Sequence, residues 1–161
     1  MLSIELQLLL LILVANGAPI IAAAVCGVWG ARPLDGGRVL ADGYRLLGGS
    51  KTWRGVLLAP LASGVTAVLL GLPGMIGVVV GLAAMLGDLL SSFSKRRLGM
   101  AASSMAFGLD QIPEALLPLL AVSVRFNLTW SAMAWIVAGF IMLELALSRL
   151  LYWLGIRKRP Y

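Results

Sequence analysis

Five long apolar segments dominate the sequence and leave few folds open to it. They are residues Ile4 to Trp29, Val56 to Leu72, Gly74 to Phe93, Ile112 to Phe126 and Trp130 to Leu154. A helix needs roughly 20 residues to cross the hydrocarbon core of a bilayer, and most of these segments reach or approach that length. The chain is also 60% hydrophobic and only 12% charged, with a mean hydropathy of +0.97. We therefore expect an all-α integral membrane protein with a single domain over residues 1–161.

The fourth segment is short enough for a re-entrant hairpin, and the distribution of charge decides between the two topologies. If all five segments cross, Arg125 is alone in a loop on one side, and these cations share the other: Arg32, Arg38, Arg45, Lys51, Arg54, Lys95, Arg96, Arg97, Arg157, Lys158 and Arg159. Basic loops favour the cytoplasmic side. This predicts a multi-pass protein of the cytoplasmic membrane with five transmembrane helices, the N-terminus outside and the C-terminus inside. Loops at about 30–54 and 94–111 then face the cytoplasm.

The first of these loops has a composition suited to anions. It reads PLDGGRVLADGYRLLGGSKTWRG, and its glycines permit backbone conformations that present amide groups. Ser50 is expected to cap the helix that begins near Lys51. The loop therefore predicts a phosphate site with these candidates: Asp35, Arg38, Asp42, Arg45, Ser50, Lys51, Thr52 and Arg54. Setting topology and contacting anionic lipid would explain the cations of the C-terminal tail, but it explains the composition of this loop less well.

Several familiar sites are excluded. GGSKT is not a P-loop, because Ser50 stands where that motif requires a glycine and no β-strand precedes it. Asp35 and Asp42 do not fit the D-x-x-D-G-x-x-A-R pattern of CDP-alcohol phosphotransferases. Histidine is absent, which removes the usual general base and the commonest zinc ligand. With Cys26 alone, no internal disulfide forms.

The third segment ends in GDLLSSFSKRRLG, which places polar groups inside an apolar helix. At helical spacing, Asp88, Ser91, Ser92 and Lys95 share one face. Packing against neighbouring helices and bonds to backbone carbonyls explain the serines equally well. An acidic residue in the apolar layer costs on the order of 2.5 to 3.5 kcal/mol on insertion scales. Asp88 therefore indicates an ion or substrate site.

A second carboxylate, Asp110, begins the fourth segment in LDQIPEALLP. It could cap that helix, with Pro113 in the first turn. It could instead meet Asp88 near the cytoplasmic surface, where two carboxylates opposite a basic loop would hold Mg²⁺ with a polyphosphate. Glu144 of the fifth segment could join this cluster or pair within the bundle.

Several of these stretches resemble the CDP-archaeol synthases, short relatives of the CDP-diacylglycerol synthases. The matching blocks are ANGAP, PLDGGR, ADGYRLLGGSKTWRG and GDLLSSFSKRRLG followed by LDQ, and they span nearly the whole chain in order. The resemblance implies a membrane cytidylyltransferase that joins CTP to a lipid phosphate, of archaeol phosphate or phosphatidate type, and releases pyrophosphate. The chain departs from the family pattern D-Q-x-D-F, because Pro113 stands at the second acidic position.

The resemblance also implies a set of site residues. Asp88 and Asp110 would hold Mg²⁺ and the nucleotide, and Lys95 would join them as a catalytic residue. The cations of the KTWRG and KRR blocks would bind phosphates, and they are Lys51, Arg54, Lys95, Arg96 and Arg97. Apart from the resemblance, we expect Ser91, Ser92 and Gln111 to contact substrate, together with the loop candidates above. The expected partners are CTP, a lipid phosphate and the bilayer, and no nucleic acid. The alternative is a small transporter or lipid-binding protein in which the same polar patch is a gate.

Overall fold

Five α-helices form the bundle seen in a computed structural model, which describes residues 2–102 and 104–156. They are α1 (Ile4–Cys26), α2 (Trp53–Leu69), α3 (Gly74–Arg97), α4 (Gln111–Phe126) and α5 (Trp130–Trp153). The predicted all-helical fold is confirmed, and each predicted apolar segment corresponds to one helix. The largest difference is that α3 continues past Phe93 through its three terminal cations. The basic tail at 157–159 lies outside the described residues.

The first two helices are antiparallel and closely packed. At one end the Gln7 side chain donates to the Leu70 carbonyl at 3.0 Å, and at mid-length the Ser63 hydroxyl donates to the Leu11 carbonyl at 3.3 Å. At the other end a Cβ on Gly55 would lie 3.2 Å from Pro19. The chain therefore turns back on itself after α1, and the long polar loop connects the two helices at one end of the bundle.

Helix α3 packs on α2 through small residues. A Cβ on Gly77 would lie 2.0 Å from the Ser63 carbonyl oxygen, and one on Gly81 would lie 2.5 Å from the Pro60 Cα. No real side chain fits at such distances, so these glycines allow the two backbones to approach. Helix α3 also packs on α1 and α4, whereas α5 packs on α1 and α4. Helix α1 therefore packs on all four other helices, and α3 packs on every helix except α5.

The hydrophobic core lies at the end of the bundle where α1, α3 and α5 begin. Its fully buried members include Leu8, Leu11, Val80, Leu119 and Phe140. The opposite end carries the long polar loop, the cations that end α3 and the start of α4. The bundle is thus divided into an apolar end and a polar end.

The outer surface of the helices is apolar. Large side chains such as Leu57, Leu61, Val65, Trp135 and Met142 are exposed along α2 and α5. Within the described residues, α1, α3 and α5 are long and apolar enough to cross a membrane, and α2 is a shorter apolar helix. An aqueous exterior would not tolerate so continuous an apolar surface, whereas lipid would solvate it. The protein is therefore embedded in a membrane.

Candidate active site

The polar loop between α1 and α2 is organised around one buried carboxylate. Asp35 accepts hydrogen bonds from the amides of Gly37 at 2.9 Å, Leu47 at 3.2 Å and Gly48 at 3.0 Å, and it pairs with Arg45 at 2.6 Å. Burial alone would raise the pKa of Asp35. The Arg45 guanidinium and the three amides outweigh burial and hold this pKa well below its usual range. The structure thus gives Asp35 and Arg45 a role inside the loop.

The same loop is fastened to the end of α3 by Arg97. Its guanidinium pairs with Asp42, donates to the Arg45 carbonyl at 2.8 Å and lies over the ring of Phe93 at 5.3 Å. Asp42 also accepts the Tyr44 amide at 3.1 Å, which closes a local turn. Asp42 and Arg97, two of the predicted substrate contacts, therefore hold the loop against the helix bundle.

Helix α2 begins with a hydroxyl cap, but the capping residue differs from the predicted one. Thr52 accepts the amide of Gly55 at 3.3 Å, whereas Ser50 is exposed and precedes the cap. The prediction for Ser50 is wrong because the backbone of Lys51 is still held in the loop, where its carbonyl accepts the Leu34 amide at 2.8 Å. Helical geometry starts only after Thr52.

Arg54, in the first turn of α2, closes the loop from the other side. Its guanidinium donates to the carbonyls of Gly27 at 3.1 Å and Trp29 at 2.6 Å, just beyond the end of α1. These carbonyls lack helical partners, so a cation suits them. Arg54 thus joins the two ends of the loop, while Arg38, another predicted contact, is exposed to solvent.

The central ion pair of the polar end joins the loop to α3. The Lys51 ammonium lies 2.5 Å from a carboxylate oxygen of Asp88, and each side chain is 20% exposed. Burial lowers the pKa of Lys51, but the negative charge of Asp88 raises it more, so the ammonium stays charged. The energetic cost of placing the Asp88 carboxylate in an apolar helix is therefore offset by a cation from the loop.

Glu114, in the first turns of α4, is a site residue that sequence reasoning did not select. Its side chain lies within hydrogen-bonding distance of Asp88, and Glu144 of α5 is near enough to act on it electrostatically. A close helix contact explains this position, because a Cβ on Gly87 would lie 2.4 Å from the Pro113 carbonyl oxygen. The signal in the sequence was an acidic residue directly after Pro113, one position beyond the expected one.

The second predicted metal ligand, Asp110, is also paired with a lysine. One of its oxygens lies 2.6 Å from the Lys95 ammonium, and the other accepts the Ala106 amide at 2.9 Å. Lys95 also donates to the Ser104 carbonyl at 2.9 Å. Asp110 occupies the N-cap position of α4 without making a capping hydrogen bond. The simple capping role considered for Asp110 is therefore wrong, because its carboxylate closes the α3–α4 loop instead.

The remaining predicted residues of α3 and α4 are buried among protein groups. The Ser91 hydroxyl donates to the Gly87 carbonyl at 2.9 Å, which is the packing role that the sequence left open for it. Ser92 is buried beside it, and Arg96 donates to the Ala101 carbonyl at 2.7 Å. Gln111 accepts the Gly108 amide at 2.9 Å. These contacts stabilise the polar end of the bundle through bonds between protein groups.

A cleft of about 320 Å³ opens beside the Lys51–Asp88 pair. Its polar side is formed by Gly49, Ser50, Lys51, Thr52, Arg54 and Asp88, and its apolar side includes Pro19, Ala23, Val56, Met85 and Leu89. The positive end of the α2 dipole lies in the same wall, which favours an anion. The cleft thus combines cations and helix N-terminal amides, which suit an anion, with an apolar surface.

The carboxylates near the cleft fit a magnesium ion only in part. Among residues 2–102 and 104–156, no group of three or more Asp, Glu, Cys or His side chains is arranged to hold a metal ion. Magnesium is usually bound by one or two carboxylates together with waters and substrate phosphates, so a complete protein cage is not required. Asp88 lines the cleft with one oxygen paired to Lys51, and Glu114 lies close to Asp88, so these two would supply such hard oxygen donors. Both oxygens of Asp110 already have protein partners.

The bundle and its cleft define a class of protein: a membrane-embedded helical protein with a cleft of polar and apolar lining at its polar end. Comparison with known proteins gives the family. The sequence matches the CarS-like family, described as CDP-archaeol synthase, over residues 1–161. The chain belongs to this family, and the resemblance noted in its sequence is confirmed.

Individual relatives are similar to this chain over most of their length. The chain is 38% identical to the CDP-archaeol synthase of Aeropyrum pernix, with 96% of this chain and 89% of the relative covered. It is 36% identical to that of Methanosphaerula palustris, with 87% and 95% covered. A solved structure described as an intramembrane enzyme for archaeal membrane lipids biosynthesis is 35% identical, with a TM-score of 0.70. That match covers 88% of this chain and 90% of the other.

Proposed function

We propose that this protein transfers the cytidylyl group of CTP to an archaeol-type lipid phosphate and releases pyrophosphate. The family match over the whole chain and the similarity to two CDP-archaeol synthases support this reaction. The structural observation that supports this reaction is the cleft at the start of α2, where a lysine and the N-terminal amides of the helix lie opposite an apolar surface. A nucleotide and a lipid phosphate must meet on such a boundary between polar and apolar surfaces.

The polar side of the cleft is where the triphosphate of CTP binds. Lys51 and the first amides of α2 offer positive charge to phosphate oxygens. Bound magnesium would supply neutralising charge between the phosphates and the carboxylates of Asp88 and Glu114. Asp110 and Lys95 form the ion pair that closes the α3–α4 loop beside this site.

The chemistry needs no nucleophile from the protein. A lipid phosphate is ionised near neutral pH, and its oxygen attacks the α-phosphorus of CTP while pyrophosphate leaves. The contribution of the chain is to hold the two phosphates in line and to offset the charge that accumulates between them. Lys51 is placed for the second task, because its ammonium lines the cleft and is held by Asp88. The absence of histidine is therefore no obstacle to this reaction.

The lipid chains of the substrate are expected to stay in the bilayer. Pro19 and Ala23 of α1, with Met85 and Leu89 of α3, give the cleft an apolar side continuous with the membrane-embedded part of the bundle. This position lets the headgroup phosphate reach Lys51 while the chains remain in lipid. It also explains why the site lies at the end of the helices rather than in their middle.

We further propose that all five helices cross the cytoplasmic membrane, with the polar end in the cytoplasm. The distribution of cations supports this orientation, since Arg32, Arg38, Lys51 and Arg97 gather at the polar end and Arg125 lies near the opposite end. The supply of CTP also requires a cytoplasmic site.

The transporter alternative lacks structural support. Transport would require polar groups through the apolar end, where the buried core in the described part of the chain is formed by side chains such as Leu8, Ile12, Val80 and Phe140. A gate would open onto this closed apolar core. The family match also favours the enzyme.

The experiment that tests the proposed function is a turnover assay with purified protein, labelled CTP and a panel of lipid phosphates. We expect a CDP-lipid from archaeol phosphate, weaker product from phosphatidate, and none from glycerol 1-phosphate, which lacks the chains. Formation of no CDP-lipid from any lipid phosphate in the presence of Mg²⁺ would overturn the proposal.

A further inference from the structure

The Lys51 ammonium is paired with one carboxylate and attracted by two others. It is 2.5 Å from an oxygen of Asp88, and the charges of Glu114 and Asp110 also attract it. Lys51 belongs to the loop, whereas the three acids come from α3, from the start of α4 and from the residue before it. The contact is therefore formed between separate elements and gives the acidic group a cation from within the chain.

The position of Glu114 beside Asp88 is fixed by the packing of α4 on α3. At Gly87, an added Cβ would lie 2.4 Å from the Pro113 carbonyl oxygen and 2.8 Å from the Glu114 Cα. The two backbones are in direct contact at this point, which brings Glu114 to the turn of α3 that carries Asp88. Two carboxyl groups this close repel each other when ionised, and a cation beside them reduces that repulsion.

We infer that Asp88 and Glu114 form one cation site, that the Lys51 ammonium fills it in the nucleotide-free protein, and that the metal ion arriving with CTP displaces Lys51 toward the phosphates. This inference rests on the proposed function for the identity of the nucleotide. It adds Glu114 to the site and gives Lys51 two successive partners, first the carboxylates and then the triphosphate.

The exchange leaves neither the carboxylates nor the Lys51 ammonium without an opposite charge. A divalent ion attracts two carboxylates more strongly than one ammonium does, but on its own it must expel Lys51 into a cleft with no anion to receive it. The triphosphate provides that anion, and lysine has a long flexible side chain on which its charge can move. Metal alone should therefore bind weakly, and metal with nucleotide should bind tightly.

The test is a titration of nucleotide-free protein with Mn²⁺, a paramagnetic substitute for Mg²⁺ whose free concentration is read by electron paramagnetic resonance. Lys51→Gln removes the competing ammonium, and we expect it to bind Mn²⁺ at least about tenfold more tightly than wild type, a change of about 1.4 kcal/mol. Lys51→Arg keeps a cation and should bind Mn²⁺ no more tightly than wild type. Adding Glu114→Gln to Lys51→Gln should abolish the gain.

Two controls separate this effect from a general change in charge. Arg32→Gln removes an exposed cation flanking the same loop, and Glu5→Gln removes an exposed acid at the start of α1. Both should retain wild-type Mn²⁺ affinity. If Lys51→Gln leaves an unpaired carboxylate that lowers the melting temperature, Mn²⁺ should restore it.

The inference is contradicted if Lys51→Gln binds Mn²⁺ no better than wild type, or if Lys51→Arg binds it more tightly than wild type. It is also contradicted if the double variant Lys51→Gln, Glu114→Gln binds Mn²⁺ as tightly as Lys51→Gln alone. None of these measurements uses CTP or a lipid, so they separate the inference from the proposed function. If the wild-type protein makes no CDP-lipid but Lys51→Gln still binds Mn²⁺ more tightly, the proposed function is contradicted and this inference stands.

Discussion

At the scale of single residues, Asp35 shows how a charged side chain serves a functional loop without facing the cleft. Its side chain is fully buried and binds three loop amides and the Arg45 guanidinium. Hydrogen bonds to a charged group are worth about 1.5 to 3 kcal/mol each at most sites. The loop that carries Lys51 therefore depends on a carboxylate about 16 residues before it.

We predict that Asp35→Asn destabilises the protein by about 2 kcal/mol, because the neutral amide weakens the bond from Arg45 and cannot accept all three backbone amides equally well. Thermal denaturation in detergent and limited proteolysis of the 30–54 loop measure the effect. Arg38→Gln, at an exposed position of the same loop, is the matched control and should melt like wild type. Equal melting and proteolysis of Asp35→Asn and wild type would contradict this role.

The sequence identified the residue types at the polar end better than it identified their partners. Asp88 was selected from its cost in an apolar helix, and the structure places it beside the cleft. Asp42 and Arg97 were predicted as substrate contacts, but they bind each other across 55 positions of sequence. Such pairs are set by how the loop folds onto α3, which local spacing does not reveal. Glu114 was missed for the same reason, since only the Gly87 contact brings it to Asp88.

At the scale of elements, the packing of α4 on α3 decides whether the carboxylates of the cleft come together. Gly87 permits that packing, and a methyl group there would overlap the Pro113 carbonyl, whose oxygen is 2.4 Å from the Cβ position. Overpacking of this kind costs about 1 to 3 kcal/mol and shifts the backbone. The start of α4 would move away from α3 and carry Glu114 with it.

We predict that Gly87→Ala loses most cytidylyl transfer and lowers the melting temperature. Gly139→Ala is the matched control, because a Cβ at this position of α5 meets only a Leu9 methyl at 3.6 Å. The control should keep full turnover, and alanine favours the helix slightly over glycine. Turnover and melting are measured on both purified variants. Wild-type turnover in Gly87→Ala would contradict the proposed role of the contact.

Helix positions followed from the apolar pattern, and helix ends did not. Each predicted segment lies on one helix, since a long apolar run in lipid satisfies its backbone as a helix. The third apolar segment ends at Phe93 and Lys95 was expected on a face of the same helix, which continues as far as Arg97. Cations in the last turn interact favourably with the helix dipole, so charge marks the membrane boundary there without ending the helix.

At the scale of the whole molecule, the proposed orientation places the cleft in the cytoplasm and the turn between α4 and α5 outside. In a variant whose native Cys26 is replaced by serine, Ser50→Cys should be shielded from a membrane-impermeant thiol reagent in intact cells. Ser131→Cys, an exposed position at the start of α5, should be labelled from outside. Labelling of Ser50→Cys in intact cells, or of Ser131→Cys only after lysis, would contradict the five-span orientation.

The central claim is that the cleft beside Asp88 joins the α-phosphate of CTP to a lipid phosphate. The most direct measurement follows CTP labelled separately at the α- and γ-phosphorus through turnover on archaeol phosphate, in wild type and in Asp88→Asn. We predict that α-label appears in the lipid product and γ-label in pyrophosphate, that chelation of Mg²⁺ stops both, and that folded Asp88→Asn produces neither. Release of γ-label as inorganic phosphate without labelled lipid, or near wild-type transfer by Asp88→Asn, would contradict the account.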